Sequence, residues 1–280
     1  MERAPIRGRA SESVALGLHV AASALLVGLL GLPVAALVLR VPPGELVERF
    51  REHALLQALR LSLFTSVAAT LAVILLGLPV AYLLATRTFP GKRVLEALLE
   101  LPMVLPPTVA GVGLLLAFGR QGLAGGALAA LGLSIPFTTL AVIIAQVFVA
   151  APFFIAATRA GLGEVDRRYL DAAATLRSSP ARTLFQVMLP LAFPSLLAGA
   201  AMTWARALGE FGATITFAGN MPGVTQTMPL AVYLALQTDL DAAVAMSVLL
   251  LALSLAVLLG IRLVTPELLP FGPRARAQSR

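Results

Sequence analysis

The sequence predicts an all-α integral membrane protein with about six transmembrane helices. Of its 280 residues, 59% are hydrophobic and 12% are charged, whereas soluble domains carry about 25% charged residues. The mean hydropathy is +0.91. Several apolar stretches also reach the roughly 20 residues that a helix needs to cross a hydrocarbon core about 30 Å thick. These observations exclude a water-soluble fold.

Six apolar stretches are long enough to be spans. They run from Val14 to Leu39, Leu61 to Thr86, Val94 to Phe118, Ser134 to Thr158, Leu191 to Phe217 and Ala242 to Val264. The first is too long for the core of a signal peptide and lacks a small-residue cleavage site after a short apolar region, so we expect it to be retained. The third is the least regular because it contains two glutamates and three prolines. We therefore expect an N-terminal tail at 1–13, a first transmembrane helix at 14–40, a larger membrane domain at 55–264 and a basic C-terminal tail at 265–280.

The distribution of basic residues predicts the orientation. Of the 21 Lys and Arg residues, fifteen fall in segments on the side of the N-terminus, five fall on the opposite side, and Arg206 lies within the fifth span. Cytoplasmic segments carry the excess of positive charge. Both termini are therefore expected in the cytoplasm, with the chain in the cell (inner) membrane and the lipid bilayer around it. The basic residues lie in short segments between spans, which argues against nucleic acid as a partner.

The longest polar segment on the cytoplasmic side, at 163–190, predicts two short helices joined by a turn. Asp166 is suited to cap the first helix, and Ser179 with Pro180 forms a start signal for the second. An amphipathic first helix would place three residues on one side, Leu170, Ala173 and Ala174.

Within this segment, Asp171-Ala172-Ala173, Thr175-Leu176, Ser179-Pro180, Phe185 and Leu189-Pro190 resemble the Glu-Ala-Ala loop of binding-protein-dependent ABC importer permeases. In that family the loop docks on the ATP-binding subunit. The resemblance implies a type I ABC importer fold over residues 55–264 with an ATPase-coupling loop at 163–190. Its candidate contact residues are Asp171, Ala172, Ala173, Leu176, Arg177 and Pro180.

Two positions of the loop depart from the family pattern. Asp171 stands where the family has Glu, and Arg177 stands where it usually has Gly. An arginine disfavours the left-handed backbone that glycine adopts at such a turn. An ordinary Ala-rich helix on the membrane surface is the alternative interpretation of Asp171-Ala172-Ala173, and the spacing to Leu189-Pro190 argues against it.

The sequence offers no catalytic or metal-binding residues. It lacks a Gly-x-x-x-x-Gly-Lys-[Ser/Thr] phosphate loop, since Gly91-Lys92 is followed by Arg93 without the earlier glycine. There is no cysteine, and His19 and His53 are too far apart to suggest a metal site. We expect no cofactor in this chain, and ATP-Mg in a separate ATP-binding cassette ATPase subunit present in two copies.

A second resemblance concerns the substrate. The run Gly209-Glu210-Phe211-Gly212-Ala213, the run from Ala218 to Gly223 and the run from Thr225 to Leu230 closely resemble the molybdate permease subfamily, as does the segment from Leu101 to Gly111. This implies import of molybdate, an extracytoplasmic molybdate-binding protein and a permease homodimer. Tungstate stays open because both ions are tetrahedral dianions of nearly the same size. Sulfate or thiosulfate import is the alternative, and phosphate fits less well.

A dianion that crosses an apolar barrier needs hydrogen-bond donors without a deep positive trap. The candidate path residues lie in and after the fifth span: Arg206, Glu210, Thr214, Thr216, Asn220, Thr225, Gln226 and Thr227. Alternatively, the hydroxyls bond back to their own helix and the amides cap the loop. Arg206 and Glu210 stand four residues apart on one helix, which predicts a mutual salt bridge.

Two other classes fit less well. An intramembrane transferase would need clustered acidic metal ligands, but the carboxylates are scattered, with Asp239 and Asp241 the nearest pair. A secondary transporter or channel would favour several intramembrane acids over an Ala-rich docking loop.

Overall fold

A computed structural model describes residues 7–40, 42, 44 and 53–264, with side chains from 16 to 40, at 42 and 44, and from 53 to 260. These residues form helices joined by turns, without a strand in the described ranges. The predicted C-terminal tail lies outside them. The helices are α1 (Arg7–Arg40), α2 (His53–Thr86), α3 (Lys92–Val104), α4 (Pro107–Phe118), α5 (Gly125–Ala130), α6 (Thr139–Gly163), α7 (Arg167–Thr175), α8 (Pro180–Thr183), a π-helical turn (Leu184–Met188), α9 (Leu189–Leu208), α10 (Gly212–Ala218), α11 (Met228–Thr238) and α12 (Leu240–Val264).

Five helices in the described part of the chain are long and apolar enough to cross a membrane, and a bent pair brings the number to six. The five are Leu16–Arg40, His53–Thr86, Thr139–Gly163, Pro180–Leu208 and Leu240–Gly260. The expected all-α membrane architecture is confirmed. Helix α1 begins at Arg7, inside the segment expected to be a tail, and α2 begins at His53, eight residues before the expected span.

The third expected span, Val94 to Phe118, is wrong as a single helix. It divides into α3 and α4, which meet at a bend of 117°. The break lies at Leu105 and Pro106, both extended with ψ of 133°, because a residue before proline is forced out of the helical region. Helix α4 has 12 residues and is about 18 Å long, too short to cross alone. Helix α3 has no buried residue and packs along α6.

The fifth expected span, Leu191 to Phe217, is also corrected at both ends. The membrane helix begins at Pro180 and ends at Leu208. After the break, α10 runs separately over Gly212–Ala218. The second predicted loop helix is thus the start of the membrane helix itself, since α8 continues through the π-helical turn into α9.

Helix α6 is the centre of the packing. It contacts α2, α9, α10, α3 and α4. One apolar cluster joins Val142 and Val149 of α6 to Ala213 and Phe217 of α10. Helix α11, which hydropathy did not predict as a separate element, packs between α2 and α12. Helix α1 stays outside this core: its membrane window has no buried residue, and it contacts α12.

Candidate functional site

Arg206 and Glu210 form an ion pair where α9 ends. Their Nη2 and Oε2 atoms are 2.7 Å apart. The other carboxylate oxygen, Oε1, accepts a hydrogen bond of 2.8 Å from the backbone N–H of Ala213, so the same side chain caps the first turn of α10. The Glu210 side chain is 1% exposed and that of Arg206 is 29% exposed. The predicted salt bridge is confirmed, and it neutralises the buried carboxylate.

The two short helices near this pair touch through glycines. A Cβ placed on Gly111 of α4 would lie 2.6 Å from Cβ of Thr216 of α10, and one on Gly212 would lie 2.6 Å from Cβ of Pro107. Real Cβ atoms do not approach so closely. The segment from Leu101 to Gly111 and the run Gly209 to Ala213, which carry part of the molybdate permease resemblance, therefore pack directly against each other.

The segment between α10 and α11, residues 219–227, and the first residue of α11 are hydrogen-bonded to two membrane helices. Thr139 of α6 donates a hydrogen bond from Oγ1 to the carbonyl oxygen of Val224, at 2.8 Å. The backbone N–H of Met228 donates to Ser62 Oγ of α2, at 2.6 Å. Inside the segment, the N–H of Met221 donates to Thr225 Oγ1, at 2.9 Å.

The predicted path residues differ in their environments. Thr216 donates to the carbonyl oxygen of Gly212, at 2.9 Å, which matches the alternative of a bond to its own helix. Thr225 Oγ1 likewise accepts a hydrogen bond within its own loop, from the N–H of Met221. Among these path residues, three buried oxygens make neither a hydrogen bond nor an ion pair within the described chain: Thr214 Oγ1, Thr227 Oγ1 and Asn220 Oδ1. The Gln226 residue is buried, at 6% exposure. A buried polar atom left unbonded costs about 1–3 kcal/mol of folding free energy, so the stability of the fold does not account for these oxygens.

Sequence reasoning missed Gln146, the most unusual of these side chains. It lies in α6, is fully buried, and neither its amide nitrogen nor its amide oxygen has a hydrogen-bond partner in the described part of the chain. The sequence feature that could have identified it is a single amide side chain in an otherwise apolar span. A row of buried hydroxyls on α2 was missed as well: Ser62, Thr65, Ser66 and Thr70.

The loop at 163–190 has the predicted caps. Asp166 accepts a hydrogen bond of 2.9 Å from the N–H of Arg168, and Ser179 accepts one of 3.3 Å from the N–H of Arg182. At the end of α7, Arg177 takes the left-handed conformation, with φ of 53°. The N–H of Arg177 donates to Ala174 O at 2.9 Å, and that of Ser178 donates to Ala173 O at 3.0 Å. This is a Schellman ending, made with arginine in place of the glycine that the turn favours.

The two faces of α7 differ in exposure. Ala173 is buried, at 7%, whereas Ala174, expected on the same side, is exposed. Tyr169, Ala172 and Leu176, at helical spacings of three and four, are exposed, and Leu176 is 82% exposed. Of the candidate contact residues, the structure therefore turns Ala173 inward and leaves the others on the surface: Asp171, Ala172, Leu176, Arg177 and Pro180.

A second ion pair lies at the same end of the molecule. Arg159 Nη1 of α6 is 2.7 Å from Glu96 Oε1 of α3. It joins the bent pair of helices to the helix that leads into the loop at 163–190. Among the described residues, no group of three or more His, Asp and Glu is placed to hold a metal ion.

The chain is similar to known transport proteins over most of its length. Residues 74–269 match the family described as binding-protein-dependent transport system inner membrane component. The "Molybdenum transport system permease protein ModB" of Mycobacterium tuberculosis is 46% identical over 209 residues, which are 75% of this chain and 79% of that protein. The "Probable sulfate transport system permease protein cysT" of Chlorokybus atmophyticus is 33% identical over 238 residues, 83% of each chain.

Solved structures show the same fold at low sequence identity. A chain from the crystal structure of a bacterial alginate ABC transporter, in complex with an alginate pentasaccharide-bound periplasmic protein, has a TM-score of 0.73 and 14% identity. The match covers 94% of this chain and 98% of that one. The chain therefore belongs to the family of binding-protein-dependent transport system inner membrane components, and it is a multi-pass membrane transport protein with the type I ABC importer permease fold.

Proposed function

We propose that this chain is the permease subunit of an ATP-driven importer that carries molybdate or tungstate across the cell membrane. One observation carries the proposal: the short helix α7 connects the end of α6 to the start of the α8–α9 helix. Helices α6 and α9 are also the ones that hold the polar region from Arg206 to Thr227. A movement of α7 would therefore reach that region through two packed helices. The relative at 46% identity, named as a molybdenum permease, supports the substrate.

The exposed side of α7 is the proposed contact with the ATP-binding subunit. Tyr169, Ala172 and Leu176 present an apolar and small-residue surface, while the opposite side of α7 rests on the permease through Ala173 and Leu170. A small residue at position 172 permits a close approach of the partner. ATP-Mg would be bound and hydrolysed by two copies of that partner, outside this chain.

The proposed orientation follows the charges. Basic residues of the cytoplasmic loop, Arg167, Arg168, Arg177 and Arg182, would share a side with both termini, in accord with the positive-inside rule. The segment 219–227 would then face the outside, where an extracytoplasmic binding protein delivers its oxyanion. Two copies of this chain would line one path at their interface.

The ion pair suits an anion path. Arg206 attracts an oxyanion, and Glu210 balances its charge at 2.7 Å. Neutral donors can then solvate the dianion without holding it so tightly that it cannot leave. A second candidate, sulfate or thiosulfate import, is supported by the relative at 33% identity named as a sulfate permease. The higher identity to the molybdenum permease favours the first.

Competition in reconstituted vesicles tests the substrate. Proteoliposomes would hold the permease, its ATPase and its binding protein, and take up labelled molybdate with ATP. We expect excess tungstate to abolish the uptake and excess sulfate to leave it nearly unchanged. If sulfate competes as well as tungstate, the sulfate function replaces the one proposed.

A further inference from the structure

The break between α3 and α4 lies near the middle of the membrane. Ala69, Ala150 and Ala207 pack in one cluster, and the first two stand midway along the long helices α2 and α6. The level of Ala207 therefore marks the middle of the membrane domain. Gly212 follows within two helical turns, and a Cβ placed on it would lie 2.6 Å from Cβ of Pro107. The break is therefore close to this level.

The backbone at the break has polar groups without hydrogen bonds. Pro106 and Pro107 have no N–H. A continuous helix would use those two N–H groups to bond the carbonyl oxygens of Pro102 and Met103, and no other backbone donor in the described chain reaches either oxygen. The N–H of Thr108, in the first turn of α4, likewise has no acceptor among the described residues.

The described chain does not cover this part of its own backbone. Four residues around the break are exposed, and Val104 is 82% exposed. We call these four residues the break surface: Val104, Pro106, Pro107 and Thr108. A break in a membrane helix is tolerated where it is buried in protein or lines a water-filled cavity, and not where it faces lipid. The break surface therefore needs a neighbour other than lipid.

Arg206 is a second polar group beside the break surface. Its partner Glu210 caps the first turn of α10. The same turn touches the break surface through Gly212, where an added Cβ would lie 3.3 Å from the backbone nitrogen of Thr108. The side chain of Arg206 is 29% exposed, and a charged side chain at membrane depth faces protein or a water-filled cavity. Backbone and side chain thus indicate the same face.

A second copy of the chain is the neighbour that fits this face. The proposed ATPase contact lies on α7, and the binding protein would meet the outer side, so neither partner reaches the middle of the membrane. Two copies related by a two-fold axis present the same surface to each other, so a net charge there would cause repulsion. Glu210 balances Arg206 within each copy at 2.7 Å, and the break surface itself carries no charge.

We propose that two copies of this chain meet across the break surface, and that the translocation path runs between them there, with Thr108 and Arg206 of each copy facing water. The inference rests on the importer function proposed above and assigns its path to one face of the chain. Water in the path and the second copy then solvate the unbonded backbone groups of the break. The exposed apolar row of α2, which includes Phe64, Leu71 and Leu75, remains in lipid.

Cross-linking tests the contact, because the chain contains no cysteine. Thr108→Cys in the complete transporter would be treated with a short bifunctional maleimide, and we expect a covalent dimer of the permease. Val104→Cys, on the other side of the break, gives the same test if Thr108→Cys does not assemble. The matched control is Leu71→Cys, which is 61% exposed near the middle of α2 and should stay monomeric. No more dimer from either break variant than from the control would overturn the proposed contact.

A charged, membrane-impermeant thiol reagent tests the path. A thiol reacts as its thiolate, which forms in water and not in lipid. Thr108→Cys should therefore react in at least one nucleotide state, with loss of molybdate uptake, whereas Leu71→Cys should not react and should keep its uptake. A Thr108→Cys permease that imports molybdate yet stays unreactive in every nucleotide state would contradict this inference alone. Absence of ATP-driven uptake by the wild type, with the cross-linked dimer still formed, would contradict the importer function and leave the contact intact.

Discussion

The carboxylate of Glu210 makes two contacts at once, with Arg206 four residues before it and with the first turn of α10 after it. The Arg206–Glu210 pair is 2.7 Å long and the cap to Ala213 N is 2.8 Å long. One buried side chain thus joins the end of a membrane helix to the start of the short helix that packs on α4.

Loss of this carboxylate should destabilise the permease. Glu210→Ala removes the cap, worth about 1 kcal/mol, and leaves Arg206 unpaired but partly exposed, for a total of about 2 kcal/mol. Glu210→Gln keeps an oxygen that can accept from Ala213 and should lose about half as much. Thermal unfolding of the purified permease measures both. Equal stability of Glu210→Ala and the wild type would exclude the cap and the pair as stabilising contacts.

Close packing of α4 on α10 should make Gly111 intolerant of a methyl group. Gly111→Ala would place its Cβ 2.6 Å from Cβ of Thr216, and overpacking of this kind costs about 1–3 kcal/mol. Gly113 on the same helix has nothing within 4 Å of such a Cβ, so Gly113→Ala is the control and should be neutral or gain up to about 1 kcal/mol. The difference in unfolding temperature between the two variants checks the packing; no difference would contradict it.

The left-handed Arg177 predicts a stabilising substitution. A residue with a Cβ costs roughly 1–2 kcal/mol in this conformation, so Arg177→Gly should stabilise the end of α7 by about 1 kcal/mol. Arg177→Ala keeps the Cβ and removes the guanidinium with its alkyl chain, and it should bring no such gain. Hydrogen exchange of the Ser178 amide, which bonds Ala173 O, reports the local effect. Faster exchange in Arg177→Gly than in the wild type would be the opposite of this result.

The two faces of α7 predict different defects for neighbouring alanines. Ala172→Glu changes the exposed face, so the permease should remain stable while ATPase binding and uptake fall at least tenfold. Ala173→Glu buries a charge against the permease itself and should lower the unfolding temperature. Co-purification with the ATPase and thermal unfolding separate the two defects. Normal ATPase binding by Ala172→Glu would remove this face from the proposed docking surface.

Hydropathy predicted the membrane helices well where they are regular and failed where the backbone breaks. The bend after Val104 depends on two consecutive prolines, whose steric effect an apolar average does not register. The end of α9 at Leu208 lies inside a window that is apolar on average. The helix after the break is capped by one buried carboxylate, that of Glu210, and a single charged residue changes the average little. Local rules performed better: the caps at Asp166 and Ser179 and the Arg206 to Glu210 pair are each set by residues two to four positions apart.

The candidate site was predicted less completely for a physical reason. Sequence spacing identifies polar residues that share a segment, such as Thr214 and Thr227, but the inward turn of Ala173 depends on the helix beneath it. Gln146 is more than 60 residues away from that segment. Only the packing of α6 against α2, α9 and α10 buries it within the fold.

The most direct test of the account is whether this permease accumulates molybdate only when ATP is hydrolysed. Vesicles containing the permease, its ATPase and its binding protein would be compared with vesicles that lack ATP, and with vesicles that hold the permease alone. The account predicts accumulation above the external concentration in the complete system with ATP and none in either control. Equal uptake by the permease alone would identify a channel or secondary transporter and contradict the central claim.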